Sequence, residues 1–263
     1  MRKYLSIFKA EFLSSLQYIF NIAFGSLTFL IFVATFYYVW QAIYSDPNEL
    51  LNGYSMSQMV WYLAITEVIY VSTKASKLCK EVNYDVKSGN ITYNLNKPYS
   101  YVSFVLFKQL GKCFMQLVIY MLIALVVVSL LLGGIPNLNL AEFLLVFFSC
   151  FLAQIIASLI IIFIGLIAFY MGDSTPLYWL YSKFLLLVGV IFPIEFFPPA
   201  IQEFIVYSPV YVTAYGPAKL FVDFSLDVFI NVMIAQILYI FISYGLCVAL
   251  YNSAAKRLNV NGG

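Results

Sequence analysis

Two ionisable side chains, Glu67 and Lys183, stand inside apolar stretches long enough to cross a bilayer. Glu67 lies seven residues before Lys74, hence about 10 Å from that charged boundary at helical rise. Lys183 lies six residues after Leu177 and reaches a similar depth from the same side. A lone charge at the centre of a bilayer costs about 2.5–3.5 kcal/mol on insertion scales, and an opposite charge at matched depth lowers that cost. The spacing predicts an intramembrane Glu67–Lys183 pair, within one subunit or across a dimer. The alternative is a Lys183 that snorkels to the headgroups on its long stem. Little else could do chemistry. The chain has no histidine, which excludes Ser-His triads and His-ligated metals. Cys79, Cys113, Cys150 and Cys247 form no C-x-x-C pair, so no zinc or redox motif is written. No phosphate-binding loop, dinucleotide fingerprint or Mg²⁺-binding run of acids occurs. The expectation is no catalytic site, no cofactor, no metal and no nucleic-acid partner, with any ATP chemistry on another polypeptide.

The elements that carry these residues follow from composition. Of 263 residues, 63% are hydrophobic and only 10% charged, with mean hydropathy +0.92. Soluble domains run about 45–50% apolar and about 25% charged, so the composition predicts a polytopic all-α membrane protein. A span needs about 20 apolar residues. Six stretches qualify, near 18–43, 57–73, 114–132, 143–171, 177–192 and 228–251. With six spans, twelve of the fourteen basic residues fall on one side: Arg2, Lys3, Lys9, Lys74, Lys77, Lys80, Lys87, Lys97, Lys108, Lys112, Lys256 and Arg257. The positive-inside rule then puts both termini in the cytoplasm of a cell-membrane protein. The first apolar run is too long for a signal-peptide core. The cysteines face the reducing side or the bilayer, so no disulfide is expected.

Residues 1–17 place Tyr4, Leu5, Phe8, Phe12 and Leu16 on one helical face. This predicts an amphipathic helix in the membrane interface, the alternative being a simple extension of the first span. The longest polar segment is 74–112. Helix-forming residues from Lys77 to Lys87 end at Ser88-Gly89, a left-handed stop. Ile91, Tyr93 and Leu95 follow before Lys97-Pro98. Exposed apolar residues in a charged loop predict docking to a partner, against the alternative of a solvated loop. The segment 192–221 is apolar yet holds Pro193, Pro198, Pro199, Pro209 and Pro217. Irregular backbone at membrane depth survives only when buried in protein or lining a cavity. A re-entrant helical hairpin, with pieces near 199–206 and 210–220, is expected on the outer side, the alternative being a surface loop. Gln41, Gln116, Gln154, Ser158, Asn231 and Gln236 read as helix–helix contacts.

The stretch Glu81-Val-Asn-Tyr-Asp-Val-Lys-Ser-Gly-Asn-Ile-Thr-Tyr-Asn-Leu-Asn-Lys-Pro resembles the cytoplasmic element of type-2 ABC transporter permeases. Val60-Trp-Tyr-Leu-Ala-Ile-Thr-Glu-Val-Ile-Tyr, Asp173-Ser-Thr-Pro-Leu-Tyr-Trp-Leu-Tyr-Ser-Lys, Phe192-Pro-Ile-Glu-Phe-Phe-Pro and the tail Leu258-Asn-Val-Asn-Gly-Gly resemble one subgroup of them. The resemblance covers nearly the whole chain as a single domain, 1–263. Lys87 stands where many members carry Arg, and Leu95-Asn96 where the broader pattern has two leucines. The resemblance implies a permease without enzymatic activity of its own, dimeric with an identical or paralogous second permease. It also implies two separate ATP-binding subunits. It makes Glu81, Asp85, Lys87, Gly89, Ile91, Leu95 and Pro98 the coupling element, puts Glu67 and Lys183 on spans that line the pathway, and leans to export. The Pro-rich segment with Glu195 is then an outer gate. An ion-coupled secondary carrier is the competing function. Such carriers usually hold several buried acids and inverted repeats, whereas one buried acid and no evident repeat are found here. An intramembrane enzyme has neither histidine nor paired acids to work with.

Overall fold

The computed structural model describes residues 2–46, 49–91, 97 and 99–255. They form helices α1 (Arg2–Gln17), α2 (Ile19–Ile43), α3 (Met56–Thr73), α4 (Ala75–Lys87), α5 (Tyr101–Leu132), α6 (Leu140–Leu166), α7 (Ala168–Met171), α8 (Thr175–Leu185), α9 (Pro199–Val206), α10 (Gly216–Val222) and α11 (Leu226–Ala255). Two π-helical turns, Leu186–Ile191 and Tyr211–Tyr215, extend α8 and lead into α10. Among the described residues there is no strand beyond the isolated bridge Leu51–Tyr54.

Local chemistry sets the boundaries. Ser55 and Asn139 begin α3 and α6 with reciprocal capping boxes to Gln58 and Glu142, which satisfy amides that the first turn leaves without partners. Gly133, at φ 75°, ends α5 in the left-handed region. Pro217 lies inside the expected piece 210–220 and does not interrupt it. It stands at the start of α10, directly after the π turn, where its missing N–H costs no hydrogen bond.

Among the described residues, four helical stretches are long and apolar enough to cross a membrane: Phe24–Ile43, Tyr101–Leu132, Leu140–Met171 and Leu226–Ala255. The remaining two expected spans correspond to α3, of 18 residues, and to the shorter apolar stretch Thr175–Ile191. α3 carries Gln58, Thr66, Glu67, Ser72 and Thr73, which lower its hydropathy. It tolerates them because it runs through the middle of the bundle, with every residue from Met59 to Ile69 buried. α2 and α11 are its opposites, and expose Phe20, Phe24, Leu27, Ile31, Ile234, Leu238 and Phe241. Apolar outer faces on that scale are stable only against hydrocarbon or another protein.

α2, α3, α5, α6, α8 with its π extension, and α11 pack against one another in one bundle. At the Lys-rich end, the Tyr4 hydroxyl accepts from Ser100 N at 3.0 Å, Tyr101 stacks on Tyr251, and Tyr170 meets Ser253. At the opposite end, Ser55, Pro136, Glu142 and Asp223 line one cavity. Interhelical hydrogen bonds join the interior. Gln154 donates to Ser72 Oγ at 2.5 Å, and Gln236 donates to the carbonyls of Ser149 and Val212 at 3.0 and 2.9 Å, each such contact worth about 0.6 kcal/mol in a bilayer. α1 is more than a surface helix. Its Tyr4, Phe8 and Phe12 pack on Phe107 and Phe114 of α5, at a point where a Cβ on Gly111 would lie 2.5 Å from the Phe8 carbonyl. Leu5 and Leu16, expected on the same face, stay exposed beside them, as does Leu13.

Candidate functional site

α4 follows α3 after a single residue, Lys74, in the left-handed region (φ 44°, ψ 43°). Leu78, Cys79, Val82 and Asn83 form its buried face. They pack with Leu159, Ile161, Ile162 and Leu166 of α6. The approach is close at Gly165, where a Cβ would meet Val82 side-chain atoms at 2.7 Å. Polar contacts tie α4 on its flanks. Lys108 of α5 pairs with Glu81 at 2.5 Å. Tyr101 donates to Asp85 at 2.9 Å. Lys87 reaches Asp173 at 2.8 Å, and the same carboxylate accepts from Asn83 Nδ2 at 2.8 Å and Thr175 N at 2.9 Å. These contacts, the Lys87 hydrogen bond foremost, hold the Asp173 carboxyl well below the usual carboxylate range. Burial pushes the Asp85 carboxyl up, against the Tyr101 hydrogen bond that lowers it. The face left open carries Lys80, Tyr84 and Ser88, with Tyr84 63% exposed.

Gly89 follows the end of α4 at φ 73°, the left-handed stop the sequence predicts. Ile91 departs from expectation. It is fully buried and packs with Leu78, Val82 and Tyr101 in the chain's own core, so it offers no apolar surface to a partner. Leu95 and Pro98 lie outside the described residues.

The Glu67–Lys183 pair is not formed within the chain. Glu67 is 5% exposed, and its Oε2 has no hydrogen-bond partner among the described residues. Lys183 is exposed, its ammonium 5.9 Å from the ring centre of Trp179 one turn earlier. The two side chains face differently. α8 turns Ser182 and Leu185 inward, which leaves Lys183 on the outer face with Trp179. Between α3, α4 and α8 runs an open groove of about 540 Å³, lined by Tyr70, Val71, Lys74, Lys77, Lys80 and Tyr178.

At the opposite end, Pro193, Pro198, Pro199 and Pro209 punctuate a chain of short turns. Glu195 organises them. Its Oε1 accepts from Tyr54 at 3.1 Å and from Tyr215 at 2.6 Å, and Lys219 sits 4.8 Å above the Tyr54 ring. Nearby, Tyr62 donates to the Gly189 carbonyl at 3.0 Å, and Thr66 to that of Val190 at 2.9 Å. Both carbonyls belong to the first π turn, whose widened pitch frees backbone acceptors, and α3 hydroxyls take them up. The two π turns meet at Gly189, where a Cβ would lie 3.1 Å from Ala214 of the second turn and 2.7 Å from Val210 just before it.

A family model described as ABC-2 family transporter protein matches residues 29–262, nearly the whole chain. The chain belongs to the ABC-2 family. It is a membrane transport component rather than a catalyst, and membership implies association with an ABC ATPase subunit and with membrane lipid. No curated protein matches it.

In this ABC-2 protein, the residues that the sequence left unassigned are those that tie α4 and the proline-rich segment to their neighbours. Asp173 lies in a quoted stretch without a role, and Tyr54, Tyr101 and Tyr215 were indistinguishable from interface aromatics. A signal existed only for Asp173, an acid at the same end as the lysine cluster.

Proposed function

We propose that this chain is the permease subunit of an ATP-driven exporter in the cell membrane, spanning it with α2, α3, α5, α6, α8 plus its π extension, and α11. Both termini are cytoplasmic, and the permease works as a dimer with an identical or paralogous second permease over two separate ATPase subunits. The carrying observation is the mounting of α4. It packs on α6, is tied to α5 through Glu81 and Asp85, and to the start of α8 through Asp173. It leaves Lys80, Tyr84 and Ser88 open to a partner. An element fastened on three sides moves its neighbours as a body. ATP-driven closure of the ATPase pair against α4 therefore biases the spans between two packings, by as much as ATP prefers the closed pair. Glu81, Asp85 and Lys87 act as the fastenings of the coupling element, and Gly89 as its stop.

The exposed Leu5, Leu13 and Leu16 stripe supports an interfacial α1. Exposed Ile201, Phe204 and Val206 support an α9 that dips into the outer leaflet. The Glu195–Tyr54–Tyr215 cluster, framed by Pro193, Pro198, Pro199, Pro209 and Pro217, is the outer gate in this reading.

The test is co-expression of the tagged chain with a genetically neighbouring ABC ATPase. Co-purification and permease-dependent stimulation of ATP hydrolysis are expected. Tyr84→Ala and Gly89→Val should weaken both while the permease stays monodisperse. Stimulation unchanged in both variants overturns the coupling role of α4. Transport that survives ATP depletion and collapses with the ion gradient overturns the ATP-driven reading in favour of an ion-coupled carrier.

A further inference from the structure

On the flank of α4 away from α6, a second cavity of about 580 Å³ lies between α1, α2, α3 and α5. Its two ends differ in chemistry. Lys74, Lys77 and Lys112 meet Glu11 and Glu81 at one end, and Ile22, Gly25, Val71 and Tyr120 form the other. The carboxylates are already engaged, Glu11 with Lys112 at 3.7 Å and Glu81 with Lys108. Among the described residues Lys74 and Lys77 have no carboxylate within ion-pair distance. With the Gln116 amide oriented so that its nitrogen donates to the Ser72 carbonyl at 2.8 Å, its oxygen accepts from Lys74 Nζ at 2.7 Å. That aims one ammonium into the cavity but leaves its charge unneutralised. Burial, together with the positive neighbours Lys77 and Lys112, holds Lys74 below the usual lysine range. Tyr18 lines the cavity and is 61% exposed, so the mouth lies at the α1–α2 corner.

We propose that this cavity binds a phosphate ester borne by an anionic phospholipid, with Lys74 and Lys77 on the phosphate and the Ile22–Val71–Tyr120 wall against the glycerol and first acyl carbons. Basic pockets between spans on the lysine-rich side suit such headgroups, and Lys serves phosphate as a compact point charge. A free phosphate shares the charge but has no use for the apolar end. The site needs neither the ATPase partner nor a transport cycle.

The test is native mass spectrometry of the full-length chain in detergent, titrated with dioleoyl phosphatidylglycerol against dioleoyl phosphatidylcholine. Retention of one phosphatidylglycerol with about thirtyfold preference is expected, at about 1 kcal/mol for each of the two lysines. The preference should vanish in the Lys74→Gln/Lys77→Gln double variant. Gly25→Leu should lose the lipid with every charge in place, since a Cβ there meets only the Tyr120 hydroxyl at 3.5 Å and extends into the cavity. Lys9→Gln removes a charge of the same sign outside the cavity and should change nothing. Lys77 is exposed, so Lys77→Gln alone is a folded fallback, expected to lose part of the preference. Equal retention of the two lipids, or a preference that survives both the lysine variants and Gly25→Leu, overturns the site. Displacement of phosphatidylglycerol by millimolar inorganic phosphate or glycerol 1-phosphate overturns the lipid as occupant and assigns the cavity to a soluble phosphate.

Discussion

Glu195 shows how one side chain can order an irregular segment. Between Phe192 and Tyr215 the backbone is broken into short helical pieces, and one carboxylate oxygen gathers two phenols from different parts of the chain. A half-buried hydroxyl left without its acceptor costs about 1–3 kcal/mol. Glu195→Ala should therefore lower the thermal midpoint in detergent by an amount equivalent to about 1–3 kcal/mol. Glu195→Gln keeps an acceptor oxygen and should lose about half of that or less, because only the charge assistance goes. Differential scanning fluorimetry of the two variants checks the order. Gly89 belongs to the same scale. Nothing lies within 4 Å of a Cβ placed there, so Gly89→Val acts through left-handed backbone strain alone, about 1–2 kcal/mol.

At the scale of elements, α4 is held by close packing and by charge, and the two can be separated. Gly165→Val forces a side chain into Val82. Overpacking of this kind costs about 1–3 kcal/mol, and hydrogen exchange in α4 should quicken while α2 and α11 are unchanged. The charged fastening responds to pH instead. Asp173 titrates below its ordinary value of 3.8 in the folded chain, so it binds protons less readily than when unfolded. Its contribution is then complete above that ordinary value and is lost as pH falls through the depressed one. Exchange in α4, corrected for intrinsic rate, should be flat from neutrality to about pH 4 and rise below it. Asp173→Asn should show the raised exchange already at pH 7 and no further rise in acid attributable to this contact.

At the scale of the molecule, the buried α3 and the exposed α2 and α11 define an inside and an outside without any soluble surface between them. In the proposed six-span arrangement, an even number of traverses puts both ends of the chain on one side. Fluorescent-protein fusions at either terminus should both fluoresce in cells, and alkaline-phosphatase fusions at both should stay inactive. An active phosphatase fusion at one terminus would exclude the arrangement.

Hydropathy and charge made the helical membrane fold, the lysine-rich end and the stop at Gly89 legible in the sequence, because each depends on local composition or on one residue's backbone freedom. The pieces 199–206 and 210–220 were legible for the same reason, since proline punctuation is local. Only the tertiary structure decided how each helix is rotated about its axis. That rotation separates Glu67 from Lys183, buries Ile91, and turns Glu81, Asp85 and Lys87 from free charges into ties. Depth along a helix is counted in residues. Azimuth is set by which neighbour packs where, through close approaches such as Gly165 on Val82 and Gly111 on Phe8, and no periodicity within one helix contains that information.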